Sequence, residues 1–136
     1  MKKYTFIIFL VLIGLLSSCT LYLMKLSHYA VDLDGNAQTF KIRANHSVQR
    51  IFIDKPRHLD DEGYNIIKYE MIFDNDNKIM YCEGEWFRVE VPIGEGDHNI
   101  TIKLNENNTR EARWLEVRAA YEEKDASCLI TQKPLH

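Results

Sequence analysis

Only three cysteines occur in this chain of 136 residues, and none forms a Cys-x-x-Cys pair. Its five histidines, His28, His46, His58, His98 and His136, are scattered, with no two at the i, i+4 spacing of a helical zinc motif. Those absences exclude the common structural and catalytic zinc signatures, so no metal site is expected. A Gly-x-Ser-x-Gly elbow is missing, as is a phosphate-cradling glycine loop; Gly94-Glu95-Gly96 has no helix behind it. Asp74-x-Asp76 lacks the glycine and the distal glutamate of a calcium loop and reads as a turn. The acids Asp60-Asp61-Glu62, Glu83, Glu85 and Glu90 read as a solvated surface rather than a catalytic pair across a cleft. No catalytic residue or cofactor is therefore expected. No basic cluster interrupts a formal charge of −3, which argues against nucleic acid as a partner. Heptads, internal repeats and long helical stripes are absent too.

The chain does contain one concentrated apolar run. Met1, Lys2 and Lys3 give a positive start, Phe6 to Leu16 carry no charge, and Leu16-Ser17-Ser18-Cys19 follows. A basic start, an apolar stretch and small residues at the cut make a secretory signal. Leu16-Ser17-Ser18-Cys19 further resembles the lipobox of bacterial lipoproteins. That resemblance implies acylation of Cys19, with palmitate as the labelling probe, and cleavage ahead of it. Thr20 in place of an aspartate after the cysteine points to the outer membrane. The competing reading is an uncleaved membrane-spanning helix over residues 4–26, which is long enough to cross a bilayer. Without Lys2 and Lys3, 15 basic side chains face 20 acidic ones, a mature charge of −5.

The rest reads as short strands with period-two alternation. Phe40, Ile42 and Ala44 share a face after the turn Asp34-Gly35-Asn36. Val48 to Ile53 forms a second strand, and Lys55 to Gly63 a loop. Ile67, Tyr69, Met71 and Phe73 alternate ahead of the turn at Asp74 to Asn77, and Ile79 to Cys82 returns as a hairpin. Phe87, Val89 and Val91; Ile100, Ile102 and Leu104; Leu115, Val117 and Ala119; and Cys128 to Gln132 continue the pattern. The pattern predicts an all-β, antiparallel sandwich or barrel with one buried face, preceded by an N-terminal signal or anchor helix. Residues 1–18 are the signal, 19–32 a short membrane-proximal segment and 33–136 the sandwich.

The order of these features resembles the BACON domain, an immunoglobulin-like sandwich of Bacteroidetes envelope proteins. Its carriers are Gly35 through Asn45, Trp86 through Val91, the Asn105–Asn108 turn, Arg113, the Leu115-x-Val117-x-Ala119 strand and Cys128-x-Ile130-x-Gln132. The resemblance covers about residues 33–53 and 86–134, with the hairpin at Tyr64 to Glu83 as an insertion or an enlarged pair of strands. It implies carbohydrate binding or a spacer role.

Two features remain for chemistry. If Leu115 and Val117 face the core, Trp114 points outward with Glu116 and Arg118, as a candidate contact for a sugar ring or a partner. The favoured reading is that Trp114 is covered by the N-terminal segment or the extra hairpin. Cys82 and Cys128 lie in strand-like segments, where an exported compartment permits a disulfide and where small buried thiols are also common. The expectation is a membrane-anchored, non-enzymatic binding module for an envelope protein or a glycan. The alternative is a structural tethering subunit without a ligand of its own.

Overall fold

The computed structural model describes residues 23–54, 68–94 and 96–136. The signal segment 1–18, Cys19 and the loop residues 55–63 lie outside them. Nine strands occur in chain order: β1 (Ala30–Leu33), β2 (Gln38–Arg43), β3 (Arg50–Asp54), β4 (Tyr69–Asp74), β5 (Ile79–Gly84), β6 (Phe87–Pro92), β7 (Asn99–Leu104), β8 (Arg113–Tyr121) and β9 (Lys124–Gln132). No helix is present among the described residues.

The strands form two sheets, ordered β1-β9-β8-β3 and β2-β7-β6-β5-β4. Every neighbouring pair is antiparallel except β1 with β9. The alternation explains why the sheets stack. Ile51 and Ile53, Leu115, Val117 and Ala119, and Cys128 and Ile130 all turn inward from the first sheet. Ile42, Met80, Cys82, Phe87, Val89, Val91, Ile100, Ile102 and Leu104 meet them from the second. Paired side chains in an antiparallel ladder share a face, so each registered pair, such as Val89 with Ile102 or Val117 with Ile53, deepens one core.

The N-terminal boundary moves. Of the segment read as membrane-proximal over 19–32, the described part from 23 onward enters the sandwich: Met24 and Leu26 are buried in the core, and Leu26 bridges to Ala44. Asn45 holds that segment from both sides, its Nδ2 donating to the Leu23 carbonyl at 2.8 Å while its Oδ1 accepts from the Lys25 amide at 2.7 Å. Ala30 to Leu33 then pair with β9. The spanning helix over 4–26 accordingly cannot keep its last residues, because 23–26 are non-helical, with Met24 and Leu26 packed in the sandwich.

Candidate functional site

β8 runs through the middle of the four-stranded sheet, so the outward half of its alternation is displayed there. Trp114, Glu116 and Arg118 do share that outer face, opposite buried Leu115, Val117 and Ala119. Trp114 is half-buried and lies beside Thr131 in the register. Glu116 sits between Asp54 on β3 and Leu129 on β9.

Arg118 is already engaged. Its Nε lies 2.6 Å from Asp54 Oδ2, its Nη1 lies 3.1 Å from Asp125 Oδ2, and its guanidinium stands 4.5 Å from the centre of the Phe52 ring. The hydrogen bond it donates to Asp54, followed by that to Asp125, holds its pKa above the ordinary arginine value. Phe52, Asp54 and Asp125 therefore belong to this face, although they come from β3 and the start of β9. Sequence spacing gives no sign of Phe52 and Asp54, since residues 64 apart meet only through the sheet register, whereas Asp125 lies seven residues on, across the β8–β9 hairpin. The face is a stiff strip carrying a tryptophan, a salt-bridged arginine and carboxylates. It can stack and accept hydrogen bonds.

Trp86 has a different role. It packs against the core, edge-on to Phe87 at 5.3 Å between centroids, with the Arg113 guanidinium 5.2 Å from its ring. Gly84 leaves room for this corner, because a Cβ there would stand 2.3 Å from the Phe87 ring.

Of the two readings open for the cysteines, the structure has the small buried thiols. Cys82 and Cys128 are both free and buried. Cys82, on β5, has Ile51 of edge strand β3 across the core, with the Ile51 carbonyl 4.0 Å away and Met71 Sδ at 3.7 Å. Cys128 aligns with Val117 and Ile53, which places it two strands inward from β3 in the other sheet. With strands about 4.8 Å apart, that lateral offset alone exceeds what an S–S bond spans. Burial pushes the Cys82 thiol up to about 12 and the Cys128 thiol up to about 11.

The two ends of the sandwich differ. The far end, where β2 begins and β9 stops, is closed by polar groups. Asn107 is fully buried and donates from Nδ2 to the carbonyls of Glu111 at 2.9 Å and of Gln132 and Lys133 at 3.2 Å. Its Oδ1 accepts the Thr109 hydroxyl at 2.6 Å. Gln132 Nε2 donates to the carbonyls of Asn105 and Asn36. Gly35 fits beneath the C-terminal segment, where a Cβ would meet the Leu135 nitrogen at 2.4 Å.

The near end, where the chain enters at Leu23, is apolar. Leu23, Phe73 and Ile93 are 48%, 62% and 42% exposed. Phe73 follows the inward alternation read from sequence, in register with buried Met80. It is exposed because β4 is the edge strand. Beside it opens a pocket of about 300 Å³ lined by Val48, Gln49, Phe73, Met80, Ile93 and Tyr121. His46 stacks on Tyr121 at 4.9 Å. No described residue lining the pocket is a carboxylate or an imidazole, so it offers no acid–base pair. No group of three or more His, Cys, Asp or Glu that could hold a metal converges among the described residues.

No family model matches this chain, and no curated protein matches it. Two solved structures share its architecture. The Bacteroides ovatus GH5 xyloglucanase in complex with a XXXG heptasaccharide aligns at 13% identity and a TM-score of 0.53, over 82% of this chain and 19% of that one. This chain thus spans about a fifth of the xyloglucanase. A Bacteroides thetaiotaomicron protein determined by NMR aligns at 14% identity and a TM-score of 0.51, over 82% of this chain and 87% of that one. At these identities the likeness is one of fold: an all-β molecule of two stacked sheets.

Proposed function

We propose that this protein is a lipid-anchored, non-enzymatic binding module of the bacterial envelope, built on a BACON-like, immunoglobulin-like sandwich and held at the outer membrane through Cys19. The sheet orders and the parallel β1–β9 pairing support the immunoglobulin-like reading. Alignment with about a fifth of a xyloglucanase suits a module that also occurs beside other domains. The observation that carries the binding role is the outward row of Trp114, Glu116 and Arg118 on a face stiffened by Asp54, Asp125 and Phe52. A half-buried tryptophan keeps little side-chain entropy to lose and brings a large apolar body to the face that a sugar or a protein would meet.

Pull-down from envelope extracts and a glycan array test the role together. Trp114→Ala should weaken capture of the protein or glycan at least about tenfold, the loss expected of an anchoring aromatic. Capture unchanged by Trp114→Ala and Glu116→Ala would overturn the assignment of this face. Cys19→Ser should abolish palmitate labelling, and a wild-type chain that takes up no palmitate would overturn the anchor. A tethering subunit without a ligand of its own is the second reading, favoured by the exposed apolar side chains at the near end.

A further inference from the structure

From the contrast between the two ends of the sandwich we infer that the near end is a membrane-docking surface, with Leu23, Phe73 and Ile93 seated in the headgroup region of the bilayer that holds the anchor. The inference rests on the lipidation of Cys19 proposed above. The tether itself selects the surface. Leu23 is four residues beyond Cys19, and a fully extended chain gains at most about 3.6 Å per residue, so Leu23 stays within about 14 Å of the acylated residue. No slack remains for the domain to turn over, since Met24 is already in the core and Asn45 fixes the backbone of Leu23 and Lys25.

The register brings the other two residues to that end. Arg43 pairs with Asn99, Pro92 with Ile79, and Ile79 with Asp74, so the β6–β7 loop and the β4–β5 turn lie beside the entering chain. These connections carry Ile93 and, one residue before Asp74, Phe73. Of the five large hydrophobic side chains exposed among the described residues, these three lie at this end, Tyr29 and Met71 lie along the sides, and none lies at the far end. The far end is instead closed by Asn107 and Gln132. A water-facing end gains nothing from three exposed apolar side chains, whereas an end pressed to lipid buries them. The β4–β5 turn holds Asp74, Asp76 and Lys78, and Asp74 is occupied by the Asn77 amide at 3.0 Å and by Asn77 Nδ2 at 2.8 Å. That mixed charge suits a docking driven by apolar burial rather than by anionic headgroups.

The test uses the full lipidated chain in vesicles of phosphatidylethanolamine and phosphatidylglycerol doped with brominated phosphatidylcholine. A bimane is attached to one introduced cysteine, either Asn75→Cys at the near end or Ala37→Cys at the far end; Cys82 and Cys128 are buried. Bimane at position 75 should be quenched at least about twofold more than at position 37, as expected for a group within the shallow depth of an interfacial element. Phe73→Asp with Ile93→Asp should reduce the quenching at 75 while Cys19 stays lipidated. Equal quenching at both positions, or none at either, on a chain carrying its lipid overturns the docking surface and leaves the anchor standing. A chain without lipid on Cys19 overturns both.

Discussion

A thiol pressed against hydrocarbon keeps its proton, because the thiolate would forfeit its water. Cys82 and Cys128 sit in that situation, one on each sheet, with pKa values raised from 9.0 to about 12 and about 11. Below about pH 9 the folded and unfolded chains both hold these protons, and the thiols leave stability unchanged. Above it the unfolded chain releases them and the folded chain does not, so stability falls as pH rises toward 11. The expected size is ~1 kcal/mol per thiol at pH 10. Cys82→Ala with Cys128→Ala should remove this component: its urea midpoint should fall less between pH 8 and pH 10 than that of the parent. Equal falls would mean that the thiolates are accommodated in the folded state. Neither thiol needs an oxidant or a metal to explain its position, since each fills a small gap between branched aliphatic neighbours.

Strands and turns meet at the far end through one side chain. Asn107 lies between β7 and β8, yet its amide closes carbonyls at Glu111, Gln132 and Lys133, and its backbone amide donates to Gly35 between β1 and β2. Asn107→Ala removes the amide donor that these three carbonyls share and should cost ~2–4 kcal/mol, read from urea denaturation. Asn107→Asp keeps the shape and removes the donor, so it should cost more at pH 7 and regain stability toward pH 4. Burial raises the folded pKa of such a carboxyl, which makes the folded state the better proton holder as pH falls. Loss of the same size in both variants at both pH values would show that volume rather than donation matters. This corner was partly legible in advance: the Gly35 turn, the Asn105–Asn108 turn and the final glutamine stood out as punctuation, though nothing in one dimension said that they touch. Seven of the eight strands after β1 could be read closely from alternation, with β9 extending earlier than its apolar part. β1 escaped because four residues, two of them acidic or small, leave no measurable period, and its partner lies 99 residues away at Leu129. The outer face was legible only as far as one strand reaches: Trp114, Glu116 and Arg118 followed from the parity of β8, whereas Asp54 and Phe52 required the register with β3.

At the scale of the whole molecule, the lipid anchor proposed at Cys19 would make the short tether and the apolar end act on the same degree of freedom, the tilt of the sandwich over the bilayer, and a longer tether would separate them. Ten Gly/Ser residues inserted between Thr20 and Leu21 would have an r.m.s. span of roughly 17–19 Å, enough for the domain to leave the surface. Its return then depends on Leu23, Phe73 and Ile93 alone. Partial burial of three such side chains, at ~25 cal/mol per Å², is worth ~4 kcal/mol, the strength of a millimolar complex. A short flexible tether supplies an effective concentration that is also about millimolar. The two balance, so the domain should spend roughly half its time docked. Bimane at position 75 should therefore lose about half of its quenching in the extended-tether variant, and nearly all of it when Phe73→Asp and Ile93→Asp are added. Complete loss on lengthening alone would mean that the tether, and not the apolar end, holds the sandwich down. Full retention would mean a docking surface larger than these three side chains. In the proposed docked state the strip of Trp114, Glu116 and Arg118 would stand along the side of the sandwich, parallel to the strands, so capture through it should be unaffected by the inserted residues.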